Sequence, residues 1–151
     1  MGNNNDEAEL IQCIYTSAES INFSRDQLLS LLERARVVNS GLGITGMLMY
    51  EDGSFFQVLE GPPNAVRSLY KKISADKRHR RITKIIEEPV ARRLLPDWSM
   101  GYSSVTREEL KEVDGLNDFF QKGKCYADLD ECRAKKLLDA FKDGRWRASL
   151  G

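Results

Sequence analysis

The chain has 151 residues, with 23 Lys+Arg against 23 Asp+Glu for a formal charge of zero, and 41% of its residues are hydrophobic. That is one ordinary soluble domain, able to bury about 70% of its unfolded surface, and the zero balance argues against a surface devoted to polyanions. Cys13, Cys125 and Cys132 match neither a CxxC pair nor a disulfide framework and stand beside a single histidine, which argues against structural zinc and for a reducing, cytoplasmic setting.

Residues 1–8 are polar, carry neither the basic nor the apolar region of a secretory signal, and are expected to be disordered. No later apolar run is long enough to span a bilayer, so no membrane association is expected. Leu10-Ile11-Gln12-Cys13-Ile14-Tyr15 reads as a short, buried central strand ending at Thr16-Ser17. Ser24 and Gln27 stand in capping-box spacing, and Phe23 with Leu28 forms a hydrophobic staple. The spacing predicts a helix over 25–39 with Leu28, Leu31, Leu32, Ala35 and Val38 on one face and Gly41 as its left-handed cap.

Two β-rich runs, 43–50 and 54–60, flank Glu51-Asp52-Gly53, a hairpin signal. Gly61-Pro62-Pro63 opens a second helix with Val66, Leu69, Tyr70 and Ile73 on one stripe. A basic loop, Lys77-Arg78-His79-Arg80-Arg81, leads to a strand at 82–86, and 96–102 offers the last one. The order βαββαββ implies an α+β, ferredoxin-like sandwich with both helices on one face of a mixed sheet. The other face needs a cover, and residues 105–145 can supply it. Thr106 and Glu109 suit a short helix, and a longer one over 128–142 places Ala134, Leu137, Leu138 and Phe141 together, ending at Gly144.

No GxSxG, Walker or HExxH motif is present and no Cys–His dyad is discernible, so side-chain catalysis is not expected and no metal site is assigned. The unusual feature is polar residues on interior elements: Tyr15, Asn39 and Gln57. Phe55, Gln57 and Leu59 share one strand face, so Gln57 points where its apolar neighbours point. It is either a ligand contact inside an apolar pocket or a residue on a solvated face bonded to backbone. Taken singly, Tyr15 is a core tyrosine and Asn39 a helix-terminal residue. Trp98 and Met100, two apart, share a face, which simple packing under the cap would also explain.

Ile14-Tyr15-Thr16-Ser17, Asn39 ahead of Gly43-Ile44-Thr45-Gly46, Phe55-Phe56-Gln57-Val58-Leu59-Glu60-Gly61, Asp76-Lys77-Arg78-His79 and Trp98-Ser99-Met100 stand in an order and spacing that resembles the BLUF family of flavin-based blue-light sensors. The resemblance covers residues 9–103 and implies an oxidised flavin, FAD in preference to FMN, between the two helices. It implies that Tyr15 is the photo-electron donor, that Gln57 changes tautomer or orientation to donate a new hydrogen bond to the flavin, and that Ser17 lies near this pair. Asn39 would hold the flavin's carbonyl edge, while Arg78 and His79 would bind the ring edge or the phosphate tail. Leu28, Ile44, Phe55 and Phe56 would furnish apolar walls, unless they are simply core. Val38 stands where the family often has a polar residue, which removes one contact to the ring.

Trp98 and Met100 belong, in the family, to the strand that relays the change at Gln57 outward. With residues 9–104 as sensor and 105–151 as helical cap, no room is left for a cyclase, phosphodiesterase or transcription-factor domain. The resemblance is therefore to short, stand-alone members that signal through a homo-oligomer or a downstream protein partner. The rival reading is a non-photoactive ferredoxin-like module binding RNA or a phosphate ligand. Zero net charge and the absence of an RNP1 pattern weigh against RNA, and Asn39 and Arg78 do not stand in a phosphate loop.

Overall fold

The computed structural model describes residues 9–19, 24–51, 53–77, 79–95, 101–103, 107–113, 115–122, 124 and 126–142. In chain order it contains β1 (Leu10–Glu19), α1 (Arg25–Leu42), β2 (Thr45–Glu51), β3 (Ser54–Gly61), α2 (Pro63–Ser74), β4 (His79–Val90) and β5 (Gly101–Ser103). Three short helices follow, α3 (Arg107–Leu110), α4 (Asn117–Gln121) and α5 (Glu131–Lys142), with a 3-10 turn at Tyr126–Asp128 before the last. The sheet order is β4-β1-β3-β2-β5, antiparallel except where β5 runs parallel to β2. This is the expected α+β, ferredoxin-like βαββαββ arrangement.

Strand alternation divides the core into two layers. Ile11, Cys13, Tyr15, Leu48, Phe55 and Leu59 project to one face, where Leu32 of α1 and Val66 of α2 cover them. Ile14, Met47, Met49, Phe56 and Val58 project to the other, under a cap that includes Leu110, Phe120, Tyr126, Leu137 and Leu138. Phe56 therefore belongs to the cap layer, with its ring 6.0 Å from that of Tyr126, and is not a wall on the helix side. A β-strand cannot turn two successive side chains to the same face.

The helix starts are set locally. Ser24 accepts from the Gln27 amide at 3.1 Å while the Gln27 side chain accepts from the Ser24 amide at 2.9 Å, the expected capping box. The end of α1 differs from expectation: Gly41 is helical, and Gly43 (φ 72°) is the left-handed cap, its N–H directed to the Asn39 carbonyl. The cap falls two residues later because the Ile44 amide also bonds that carbonyl at 2.9 Å, closing the turn into β2. α5 starts at Glu131, not at 128, because Asp130 accepts from the Arg133 amide at 2.8 Å and so caps it. Residues 1–8 and 96–100, with Thr106 and Gly144, lie outside the described residues.

The basic run is not all loop. β1 continues to Glu19 and pairs with His79, so β4 begins at His79. The register slips between Thr16 and Ala18, whose partners are Thr83 and Arg80, and Arg81 inside this bulge has φ 54°. A left-handed arginine costs about 1 kcal/mol that glycine does not pay. Arg81→Gly should raise the unfolding free energy by about 0.5–1 kcal/mol, read as a higher urea midpoint at unchanged slope; a lower midpoint contradicts it.

Candidate functional site

A cavity of about 350 Å³ opens between α1 and α2. Leu31, Leu32, Ala35 and Val38 form its α1 wall, Leu69 and Ile73 its α2 wall, and Leu48 and Phe55 its sheet floor. Asn39 and Gln57 supply polar groups within it, and Arg34, Lys72 and Asp76 complete the lining. Its volume and mixture of apolar walls with few polar groups suit a small organic ligand.

Gln57 lies directly opposite Tyr15 on β1 and Leu48 on β2, so the three form one row across the sheet on the helix side. Tyr15 is 1% exposed, and its hydroxyl is buried with no hydrogen-bond partner among the described residues. A buried hydroxyl without a partner costs about 1–3 kcal/mol, so this is a tolerated defect at the one phenol facing Gln57. Burial raises the Tyr15 pKa well above the ordinary tyrosine value, which keeps the phenol protonated.

The Tyr70 ring meets the Tyr15 ring edge-on, with centroids 5.2 Å apart and planes at 73°. Lys84 Nζ sits 4.7 Å from the Tyr70 centroid and donates to Glu87 at 2.8 Å. That bond raises the Lys84 pKa and, with a second from Arg67, lowers that of Glu87, so cation and carboxylate both stay charged. Cys13, two residues before Tyr15 on the same face, has its thiol pushed up to about 12 by burial and stays un-ionised.

Of the residues expected at the site, the structure brings Asn39, Gln57 and Phe55 to the cavity and places Tyr15 beside Gln57. Ser17 is buried on β1 opposite Phe55, two residues from Tyr15 and on its face of the sheet. Ile44 is buried in the same layer without lining the cavity. Arg78, Trp98 and Met100 lie outside the described residues, as do the side chains of Leu28 and His79. Val38 lines the cavity as an apolar contact. Arg34 and Lys72 were not anticipated. Arg34 follows Leu31 by three on the helix, and Lys72 follows Leu69 by three, a spacing that could have found both. Among the described residues no cluster of His, Cys, Asp or Glu could hold a metal ion, and no helix is long and apolar enough to cross a membrane.

Comparison with known proteins extends these observations. The sequence profile of the BLUF family, "Sensors of blue-light using FAD", matches residues 10–101. The chain is 36% identical over 125 residues to photoactivated adenylate cyclase subunit alpha of Euglena gracilis, covering 82% of this chain but 12% of that protein. The chain thus spans about an eighth of that relative's length. Among solved structures, BlrB, a BLUF protein in its dark state, superimposes with a TM-score of 0.74 at 32% identity, over 91% of this chain and 98% of BlrB. BlsA in its photo-activated state gives 0.75 at 29% identity, over 92% and 99%. With the profile match spanning every strand of the sheet from β1 into β5 and the fold shared with BlrB along nearly its whole length, the chain belongs to the BLUF family of blue-light sensors.

Proposed function

We propose that the chain senses blue light through FAD held between α1 and α2, with Tyr15 as the photo-electron donor and Gln57 as the group whose hydrogen bonding is rearranged. The observation that carries this reading is the buried Tyr15 hydroxyl, without a hydrogen-bond partner among the described residues, on the residue paired across the sheet with Gln57, which itself lines a largely apolar cavity. The residues present fit a flavin. Leu31, Leu32, Leu48, Phe55, Leu69 and Ile73 offer apolar surface for its ring, and Asn39 and Gln57 offer amide donors and acceptors for its polar edge. Arg34 and Lys72 offer positive charge for a phosphate-bearing tail. Arg78 and His79 are proposed to add to that charge, and Ser17 to sit beside the pair.

When bound, the flavin supplies blue-light absorption and an excited state that accepts an electron and a proton. The remaining chemistry belongs to the chain. The Tyr15 phenol gives up an electron and its hydroxyl proton and regains both, while apolar walls exclude competing water. Gln57 can turn its donor and acceptor ends in place, which a carboxylate could not do. The state that persists is thus a changed hydrogen-bond pattern on β3.

From β3 the change is proposed to pass through the segment of sequence that contains Trp98 and Met100 to the helical cap within residues 105–151, which acts on a second copy of the chain or on a separate cytoplasmic protein. No catalytic effector is assigned to this chain. The first test is an absorption spectrum of the purified protein, dark and after blue light. A flavin band that shifts slightly red in light and returns in darkness is expected. A colourless protein that cannot be reconstituted with FAD, or a band indifferent to light, overturns the reading.

A further inference from the structure

Glu60 is a fully buried carboxylate three residues beyond Gln57 on β3, on the opposite face of the sheet. Among the described residues every partner of its carboxylate is an N–H donor, so both oxygens serve as acceptors. Gln12 Nε2 donates to Oε2 at 2.9 Å, the Leu95 amide to Oε1 at 2.8 Å, and the Leu94 amide to both oxygens at 3.0 Å. Leu94 and Leu95 lie between β4 and β5, and their side chains pack in the cap layer with Leu110, Phe120 and Leu137.

Arg93 fastens the same connection from outside. Its Nη1 donates to Thr45 Oγ1 at 2.9 Å and to the Glu60 carbonyl at 3.0 Å, and its Nη2 to the Gly43 carbonyl at 2.6 Å. Gln12, Glu60 and Thr45 are cross-strand partners, so one row of β1, β3 and β2 is tied to three successive residues of the connection. Neither Glu60 nor Arg93 touches the cavity, and the proposed photochemistry uses neither.

We propose that Glu60 and Arg93 are positioning residues that couple the strand carrying Gln57 to the C-terminal cap. The inference rests on the photoreceptor reading above. Hydrogen bonds to a fully buried carboxyl group are costly to break, so a displacement of β3 is cheaper to follow than to resist, and Leu94 and Leu95 follow it. Their side chains then load the cap layer that α5 completes. This route works through the Leu94 and Leu95 N–H groups, the Glu60 carboxylate and the Arg93 guanidinium.

The test is amide hydrogen exchange in α5 and at Leu94 and Leu95, dark and under blue light, on FAD-loaded full-length protein whose absorption is followed in the same sample. In the wild type, light is expected to change exchange in α5. Glu60→Ala and Arg93→Ala should keep the red shift of the flavin band yet reduce the light–dark ratio in α5 by about fivefold or more. Glu60→Gln should restore it, because one oxygen still accepts from Leu94 and Leu95 while Gln12 turns its own amide to match. A merely stabilising role would lower the denaturation midpoint without removing the light–dark difference.

If Glu60→Ala does not fold, Arg93→Ala decides, since its half-buried guanidinium can be replaced by water. A wild-type light–dark ratio in either alanine variant, or no light effect on α5 in the wild type, overturns the coupling while leaving the photoreceptor reading intact. A wild type without a red shift overturns the photoreceptor reading itself, and the coupling with it.

Discussion

Tyr15→Phe is expected to abolish the light-induced red shift while leaving flavin bound, and at the same time to make the flavin-free protein more stable. The two effects have one origin. The phenol hydroxyl is the only part removed; it is the group with an electron and a proton to give, and it is also a buried group without a partner. Relieving that defect should raise stability by about 1 kcal/mol, or about 2–4 °C in Tm for a chain of this size. A tyrosine present only for packing predicts the second effect without the first. Gln57→Leu should likewise bind flavin without shifting, because leucine has no donor or acceptor to exchange. The measurements are dark and lit absorption spectra of the three holoproteins and thermal unfolding of their apo forms. A reversible red shift in Tyr15→Phe of wild-type size would remove Tyr15 as the donor.

The sequence made the helix-side layer readable because period-two alternation is strict. Once Gln57 was placed with Phe55 and Leu59, its position opposite Tyr15 needed only the strand pairing. The same run hid the fate of Phe56. Both faces of β3 are buried, so polarity does not mark which neighbour goes to the helices and which to the cap. Arg34 and Lys72 were missed for a related reason. Charged residues on a helix read as solvated, yet their long stems can border an apolar cavity while the charge stays outside. The basic run 77–81 reads as a loop by composition, and only the length of β1 turns its second half into strand. Glu60 stands in the Phe55–Gly61 run, but nothing there marks the partners of its side chain. Its donors at Leu94 and Leu95 lie 34 and 35 residues away, and no local pattern predicts such a partner.

Gly46→Ala is expected to be the most damaging single methyl addition in the sheet. A Cβ at this position would stand 2.0 Å from the Val58 carbonyl oxygen and 3.1 Å from its carbon, both backbone atoms of β3. No rotamer can relieve that contact, so β2 and β3 must separate where Gly46 faces Leu59. Leu48, two residues along, faces Gln57, and the same separation would disturb the floor of the cavity. A loss of about 3 kcal/mol or more is expected, together with loss of flavin uptake. Gly41→Ala provides the contrast, because a Cβ there meets nothing within 4 Å and the residue is helical. That change should stabilise by about 0.5–1 kcal/mol through the unfolded chain. Urea titration of both variants against the wild type separates a steric cause from a general intolerance of changes around the α1–β2 turn. Equal midpoints for Gly46→Ala and wild type would show that β2 and β3 can part here without cost, and the close approach would then explain nothing about the glycine.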